Sequence, residues 1–268
     1  MLRYHQTTGL PDDPPVNTAA RKLERPKSLT DMAIESIRAA IVEGRHALGE
    51  QLSEAALAME LGISKTPVRE ALLRLRGDGL IDIQPQRGTF VFSLTRDQVD
   101  EICRFRELIE VSALGLGMQA RHAELVSGLE ANVRLMAKAQ DRGDWPSIPL
   151  LDQAFHQVIL AHCENSYLKQ AYQLIDSKIR ALRSRLPEEN DRVGHCQENH
   201  AAIVRLIRDG NVERAQQALA LHIRDTRDSY VEASSLHGAT AGKAAGSPMT
   251  GQTPGRKRAR PLGPDAVA

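Results

Sequence analysis

Asp152 and His156 stand four residues apart in the run Asp152-Gln153-Ala154-Phe155-His156, so a helix carries both side chains on one face. Two further histidines lie in comparable settings. His200 is followed by Ala201, Ile203, Val204 and Ile207, and His222 follows Ala215, Ala218 and Leu219 by helical steps. Each therefore sits on or beside the inner face of its helix. One carboxylate and three imidazoles from three helices suit a divalent transition ion with open coordination positions, zinc, nickel or manganese before magnesium or calcium. The same residues also suit a core of hydrogen-bonded histidines, and their spacing leaves both readings open. His162 and His195, six and five residues from a candidate ligand, are rotated to other helix faces. Glu198 stands two residues from His200 and points elsewhere, which makes it a solvated residue rather than a hydrolytic base. Arg106 could hold the carboxylate of an organic acid bidentately or pair with Glu110 one turn on, with Arg180 and Arg183 as weaker candidates.

A second chemistry is written between Gln51 and Ser93. Glu54 to Leu61 has a helical apolar face that Gly62 ends, and Ser64 is placed to cap a second helix with Pro67 in its first turn. Val68, Ala71, Leu72 and Leu75 form a buried stripe, while Lys65, Arg69 and Arg76 share another side of the wheel. Two β-rich runs, Leu80 to Gln84 and Thr89 to Ser93, flank the tip Pro85-Gln86-Arg87-Gly88. Helix, turn, basic helix and Arg-Gly hairpin in that order predict a winged helix-turn-helix. Lys65, Thr66 and Arg69 would meet the major groove, with Arg87 and Gly88 at a phosphate or the minor groove.

The elements that must position these residues can be read along the chain. Residues 1–27, with Pro-Asp-Asp-Pro-Pro and no periodicity, are expected to be a flexible extension. Residues 28–94 form the DNA-binding domain, whose first helix, about Leu29 to Glu43, has Thr30 as its expected N-cap and Gly44 as its stop. Thr95 and Gln98 make a capping box that starts a helix from about Arg96 to Arg121. Five more helices are expected: about Ala123–Arg142, Trp145–Ala161, Ser166–Arg185, Asp191–Arg208 and Val212–Ala233. With no β pattern among them, residues 95–234 read as an all-α bundle. Residues 235–268 turn to Gly, Ala, Ser, Pro and Thr with a basic cluster, Arg256-Lys257-Arg258-Ala259-Arg260, and are expected to be a disordered tail.

Composition bounds these readings. The 268 residues suit two domains, and four Phe, four Tyr and one Trp amid abundant Ala, Leu, Ile and Arg favour a mainly helical chain. Net charge is +1, so attraction to DNA must come from local clustering. Three cysteines without a CxxC point to no disulfide framework and to a reducing cytoplasm, and no run is apolar enough to span a bilayer.

The segment SEAALAMELGISKTPVREALLRLRGDGLI, followed by QPQRGTFV, resembles the winged helix-turn-helix of the GntR family of bacterial transcription regulators. Gly44 and Gly49-Glu50-Gln51-Leu52 match the family's approach to the motif. Leu48 stands where the family usually has Pro, Lys65 where it more often has Arg, and Ala55 where a DNA-contacting Arg can stand. The later half is similar to the FCD domain, the ligand-binding part of FadR-type members. The matching residues are Arg106-Glu107-Leu108-Ile109-Glu110, Asp152 to His156, Asn165, Asn199 to Ile203 and Leu219 to Ile223, with Asn211 where Asp is common. This resemblance, over about Ser28 to Glu232, implies a divalent ion on Asp152, His156, His200 and His222. It also implies a homodimeric cytoplasmic regulator, more often a repressor, on a two-fold symmetric operator and answering to a small organic acid. A metal-dependent hydrolase, or a regulator for which the metal is the signal, would use the same ligand set and are the alternative expectations.

Overall fold

In a computed structural model, residues 26–186 and 190–244 are described, without the side chains of 190–192 and 235–244. The N-terminal domain opens with α1 (Leu29–Val42). Its cap is Ser28, whose hydroxyl accepts from the Asp31 amide, rather than the expected Thr30. Thr30 lies inside the helix and donates to Glu70. The chain continues through β1 (Gln51–Leu52), α2 (Glu54–Leu61), α3 (Lys65–Gly77), β2 (Ile81–Gln84) and β3 (Gly88–Val91). Gly62 closes α2 in the left-handed region, at φ +66°. The strands make one antiparallel sheet in the order β1-β3-β2, with Ile81 opposite Val91 and Gln84 opposite Gly88. β1 was not foreseen, because two residues are too short to show a period. Gly88 is required at the wing: its φ is +122°, and a Cβ there would meet Gln51 Nε2 at 2.6 Å. Val68, Ala71, Leu72 and Leu75 are all buried and seat α3 against α1 and α2.

The second domain begins at α4 (Arg96–Ala120), where the Thr95–Gln98 capping box forms in both directions. Then come α5 (His122–Asp141), a 3-10 turn (Trp145–Ser147), α6 (Ile148–His162), α7 (Ser166–Arg183), α8 (Asn190–Arg208) and α9 (Val212–Ala244). The expected Trp145–Ala161 helix is thus split, because Pro146 and Pro149 each remove an amide donor from the first turns. α9 continues to Ala244, past the expected end at Ala233, although Gly238 and Gly242 in that segment are poor helix formers. Of the expected extension at 1–27 and disordered tail at 235–268, residues 1–25 and 245–268 lie outside the described residues, while 235–244 are helical and continue α9. α4 packs along α9, α5 against α6 and α8, and α6 against α4, so the inward faces of α4, α6, α7, α8 and α9 meet at the bundle centre. Among the described residues no helix is long and apolar enough to cross a membrane.

The end of α7 fastens the two domains together. Ser184 donates to the Val42 carbonyl at 2.5 Å, and Arg185 Nη2 donates to the carbonyls of Ile41 (3.0 Å) and His46 (2.5 Å). Its Nη1 returns to Ala181 O at 2.6 Å. A guanidinium thus sits at the C-terminal, electronegative ends of both α1 and α7. Desolvation lowers the Arg185 pKa to about 10, with Glu50 opposing, so it remains charged at neutral pH. Arg185→Ala is expected to destabilise this junction by about 2–3 kcal/mol, the usual worth of hydrogen bonds from a charged donor. Calorimetry should show the two domains unfolding less cooperatively than in the wild type, and Arg180→Ala, at a half-exposed intrahelical pair with Asp176, should change little.

A candidate metal and effector site beneath a winged helix-turn-helix

The bundle centre holds an unusual density of polar side chains. Arg106 and Glu110 from α4, His156 from α6, Arg183 from α7, His200 from α8 and His222 from α9 are all buried, as is Asp152 of α6 at 9 % exposure. Arg106 Nε donates to Glu110 Oε1 at 2.7 Å, Nη1 reaches the Tyr230 hydroxyl at 3.4 Å, and Nη2 donates to His156 Nε2 at 2.7 Å. Because a guanidinium only donates, His156 Nε2 accepts, and its Nδ1–H donates to Glu110 Oε2 at 2.6 Å. Arg106, the expected effector ligand, is therefore engaged with Glu110 and His156.

The other imidazoles face each other. His200 Nε2 lies 3.1 Å from His222 Nε2 and 3.4 Å from Asp152 Oδ1, while His156 Nε2 is 4.0 Å from that same oxygen. Phe155 stacks on the His200 ring, with centroids 3.9 Å apart, and fixes its plane. Cys196 of α8, one turn before His200, brings Sγ to 3.4 Å from Asp152 Oδ1. The ligand atoms of Asp152, Cys196, His200 and His222 all lie within 4.8 Å of one another. Metal–nitrogen distances near 2.0–2.1 Å place two nitrogens on one ion roughly 2.9–3.4 Å apart, so the facing imidazoles have the right spacing. The His222 Nδ1 atom is buried without a hydrogen-bond partner. Donor types and spacing both fit a divalent transition ion.

Spacing in the sequence makes Arg183 a weaker candidate and does not single out Cys196 as a ligand. Arg183 is 3 % exposed, and its Nε makes an ion pair with Asp152 Oδ2 while Nη1 contacts Gln153 Oε1. Its Nη2 and the Tyr172 hydroxyl are buried with no hydrogen-bond partner. The Cys196-x-x-x-His200 interval repeats that of Asp152 and His156 and was the available signal for the thiol. His195 is exposed beside Asn199, and His162 turns its Nδ1 to the Val158 carbonyl, so neither joins the cluster; Glu198 is exposed.

Burial and charge set the protonation states. Desolvation lowers the pKa of His156, His200 and His222, that of His200 to about 3, so these imidazoles are neutral in the metal-free protein. Desolvation would raise Asp152, but Arg183 and then the histidines overcome it and hold the carboxyl well below its ordinary range. The unfolded chain protonates its imidazoles near pH 6.5 and so binds more protons than the folded chain between about pH 6.5 and 3. The thermal midpoint of metal-free protein should therefore fall as pH drops below about 6.5. Replacing His200 by Gln should flatten that limb, which a pH series of melting curves would show.

In the winged helix-turn-helix, Lys65, Thr66 and Arg69 are exposed along the start of α3, and Arg87 is exposed at the wing tip. Ser64 occupies the N-cap position with extended backbone, but its hydroxyl makes no capping bond. Arg69 Nε and Nη2 are taken by Glu54 across the turn, at 3.1 and 2.8 Å. The Arg87 carbonyl accepts from Gln51 Nε2 at 3.0 Å, which steadies the wing.

The winged helix-turn-helix head and the helical bundle each match a family model. Residues 29–91 match the model of the bacterial regulatory proteins of the gntR family, and residues 101–225 match the FCD domain. An HTH-type transcriptional regulator of the TAR-I ttuE-ttuC' intergenic region of Agrobacterium vitis is 33% identical over 132 residues, 48% of this chain and 77% of that protein. The gluconate operon transcriptional repressor of Bacillus subtilis is 25% identical over 197 residues, 72% of this chain and 81% of that protein. The solved structure of E. coli McbR/YncC superposes with a TM-score of 0.63 at 22% identity, over 77% of this chain and 99% of that one, and shows the fold. The chain belongs to the GntR family, as a member with an FCD domain. Its relatives are transcription regulators, and it is not an enzyme.

Proposed function

We propose that this GntR-family regulator is a homodimeric repressor whose bundle binds a small organic acid beside a divalent metal ion. The observation that carries the reading is the buried Arg183 guanidinium, whose Nη2 has no acceptor beside the cluster of Asp152, His200 and His222. Two guanidiniums, Arg106 and Arg183, are balanced there by two carboxylates, Glu110 and Asp152. A divalent ion held by Asp152, His200 and His222 adds two positive charges, and an organic diacid restores neutrality. A buried net charge is otherwise costly, and this favours an anionic effector. His156 joins the ligands when an acid carboxylate draws the Arg106 guanidinium away from its Nε2.

The cavity bordered by Asp152, Arg183 and Cys196 measures about 30 Å³, room for an ion or a water but not for an organic acid. Acid binding therefore requires Arg183 to shift. The next two residues, Ser184 and Arg185, hold the carbonyls at the end of α1. An acid that binds the open arrangement better than the closed one thus moves the DNA heads by population shift. Lys65, Thr66, Arg69, Arg87 and Gly88 meet a two-fold symmetric operator, and phosphate contacts supply affinity while base edges supply sequence.

The test is a thermal-shift screen of metal-loaded protein against sugar acids, hydroxy acids and dicarboxylates, with Arg183→Met alongside. At least one acid should raise the wild-type midpoint and release operator DNA, and Arg183→Met should lose both responses while keeping its metal. An acid that stabilises both proteins equally would remove Arg183, and with it the reading, from effector binding.

A further inference from the structure

We propose that Cys196 supplies a thiolate ligand to the ion, making the site Asp152, Cys196, His200 and His222 in the closed arrangement, with a preference for zinc-like ions. The inference rests on the metal reading above but concerns which atoms hold the ion. His156, the ligand that spacing suggested, has both ring nitrogens engaged, Nε2 by Arg106 at 2.7 Å and Nδ1 by Glu110 at 2.6 Å. The Arg106 guanidinium thus occupies the lone pair that would face an ion. Cys196 stands where His156 does not: its Sγ is 3.4 Å from Asp152 Oδ1 and shares the 4.8 Å cluster with one ring nitrogen each of His200 and His222. The second observation is His222, 2 % exposed, whose Nε2 is directed at His200 Nε2 while its Nδ1 is without a partner.

One helical turn separates Cys196 from His200, so the backbone of α8 presents the sulfur and the nitrogen to the same side. A thiolate, two imidazoles and a carboxylate make a borderline-soft donor set, which selects zinc or cobalt over manganese or magnesium. The thiol proton leaves to solvent as the ion binds. With the thiolate counted, the metal-loaded centre has one positive charge fewer, which shifts the effector preference from a diacid towards a monoacid.

Cobalt replaces zinc in such sites and reports its ligands by absorption. Metal-free full-length protein titrated with Co²⁺ should bind about one ion per chain, as four clustered donors predict. It should also show a sulfur-to-cobalt charge-transfer band in the near ultraviolet. Cys196→Ser should abolish that band and weaken zinc, measured by chelator competition, at least tenfold, with manganese little changed. Circular dichroism should show that the variant is folded. Cys103→Ser and Cys163→Ser, both away from the cluster, should keep the band. Cobalt bound stoichiometrically without the band overturns the thiolate and leaves the metal site standing. Failure to bind cobalt or zinc at all overturns both. As an independent readout, zinc should protect Cys196 from alkylation in the wild type, and equal alkylation with and without zinc would also overturn the proposal.

Discussion

Glu110→Ala is expected to destabilise the protein by about 3–5 kcal/mol, the cost of leaving a buried charge without its partner. Glu110 and Arg106 are both 0 % exposed, and each oxygen of the carboxylate is used, Oε1 by Arg106 and Oε2 by His156. Desolvation alone would raise the pKa of Glu110. The charge of Arg106, and then the hydrogen-bonded His156 imidazole, overcome it and hold the carboxyl at about 2. Removing the side chain strands the Arg106 guanidinium in the bundle centre and takes the acceptor from the His156 Nδ1–H. Chemical denaturation of wild type and variant measures the loss directly. Arg106→Met combined with Glu110→Leu should recover a large part of it, because a well-packed apolar pair carries no desolvation cost.

Linkage gives the same residue a pH signature. Its folded pKa is depressed from 4.5 to about 2, so the unfolded chain binds the proton first as pH falls. The stability it contributes is fully present above about pH 4.5 and is lost between about 4.5 and 2. Glu110→Gln should lack this lower limb and retain the imidazole limb that begins near pH 6.5. An unchanged acid profile in Glu110→Gln would show that the carboxylate is not held as the structure places it.

Arg69→Ala should lower operator affinity by on the order of tenfold or more per half-site, the worth of a good bidentate base contact. A dimer on a two-fold site feels the loss twice. Arg69 is exposed near the start of α3, and in the DNA-free protein its fork rests on Glu54. That bridge is solvent-exposed, so breaking it should leave the melting temperature nearly unchanged. Glu54→Gln should release the guanidinium and raise affinity for non-operator DNA at low salt, since a carboxylate near the phosphates is also removed. The measurement is fluorescence anisotropy on DNA selected from random sequence by the wild-type protein, with Arg104→Ala, exposed on the bundle, as control. Equal operator affinity for Arg69→Ala and wild type would move the reading of sequence to other residues of α3 or the wing.

Short-range patterns in the sequence determined most of the architecture. Gly62 and Gly88 take the positive φ that turn chemistry requires, and Thr95 and Gln98 cap α4 because both partners lie within one turn. Helical phase determined that Asp152, His200 and His222 face inward, because the period of a helix assigns each side chain a face. It could not say what each meets across the bundle. That Arg106 holds Glu110 and His156, that Arg183 pairs with Asp152, and that Cys196 approaches the same carboxylate depend on rotamers and on packing between helices. Cys196 and Asp152 are 44 positions apart, and Arg185 lies 144 from the Ile41 carbonyl it holds. No local periodicity encodes such contacts. They exist because five helices with separately determined inner faces close on one centre, where each buried polar atom must find a partner or keep a place for one.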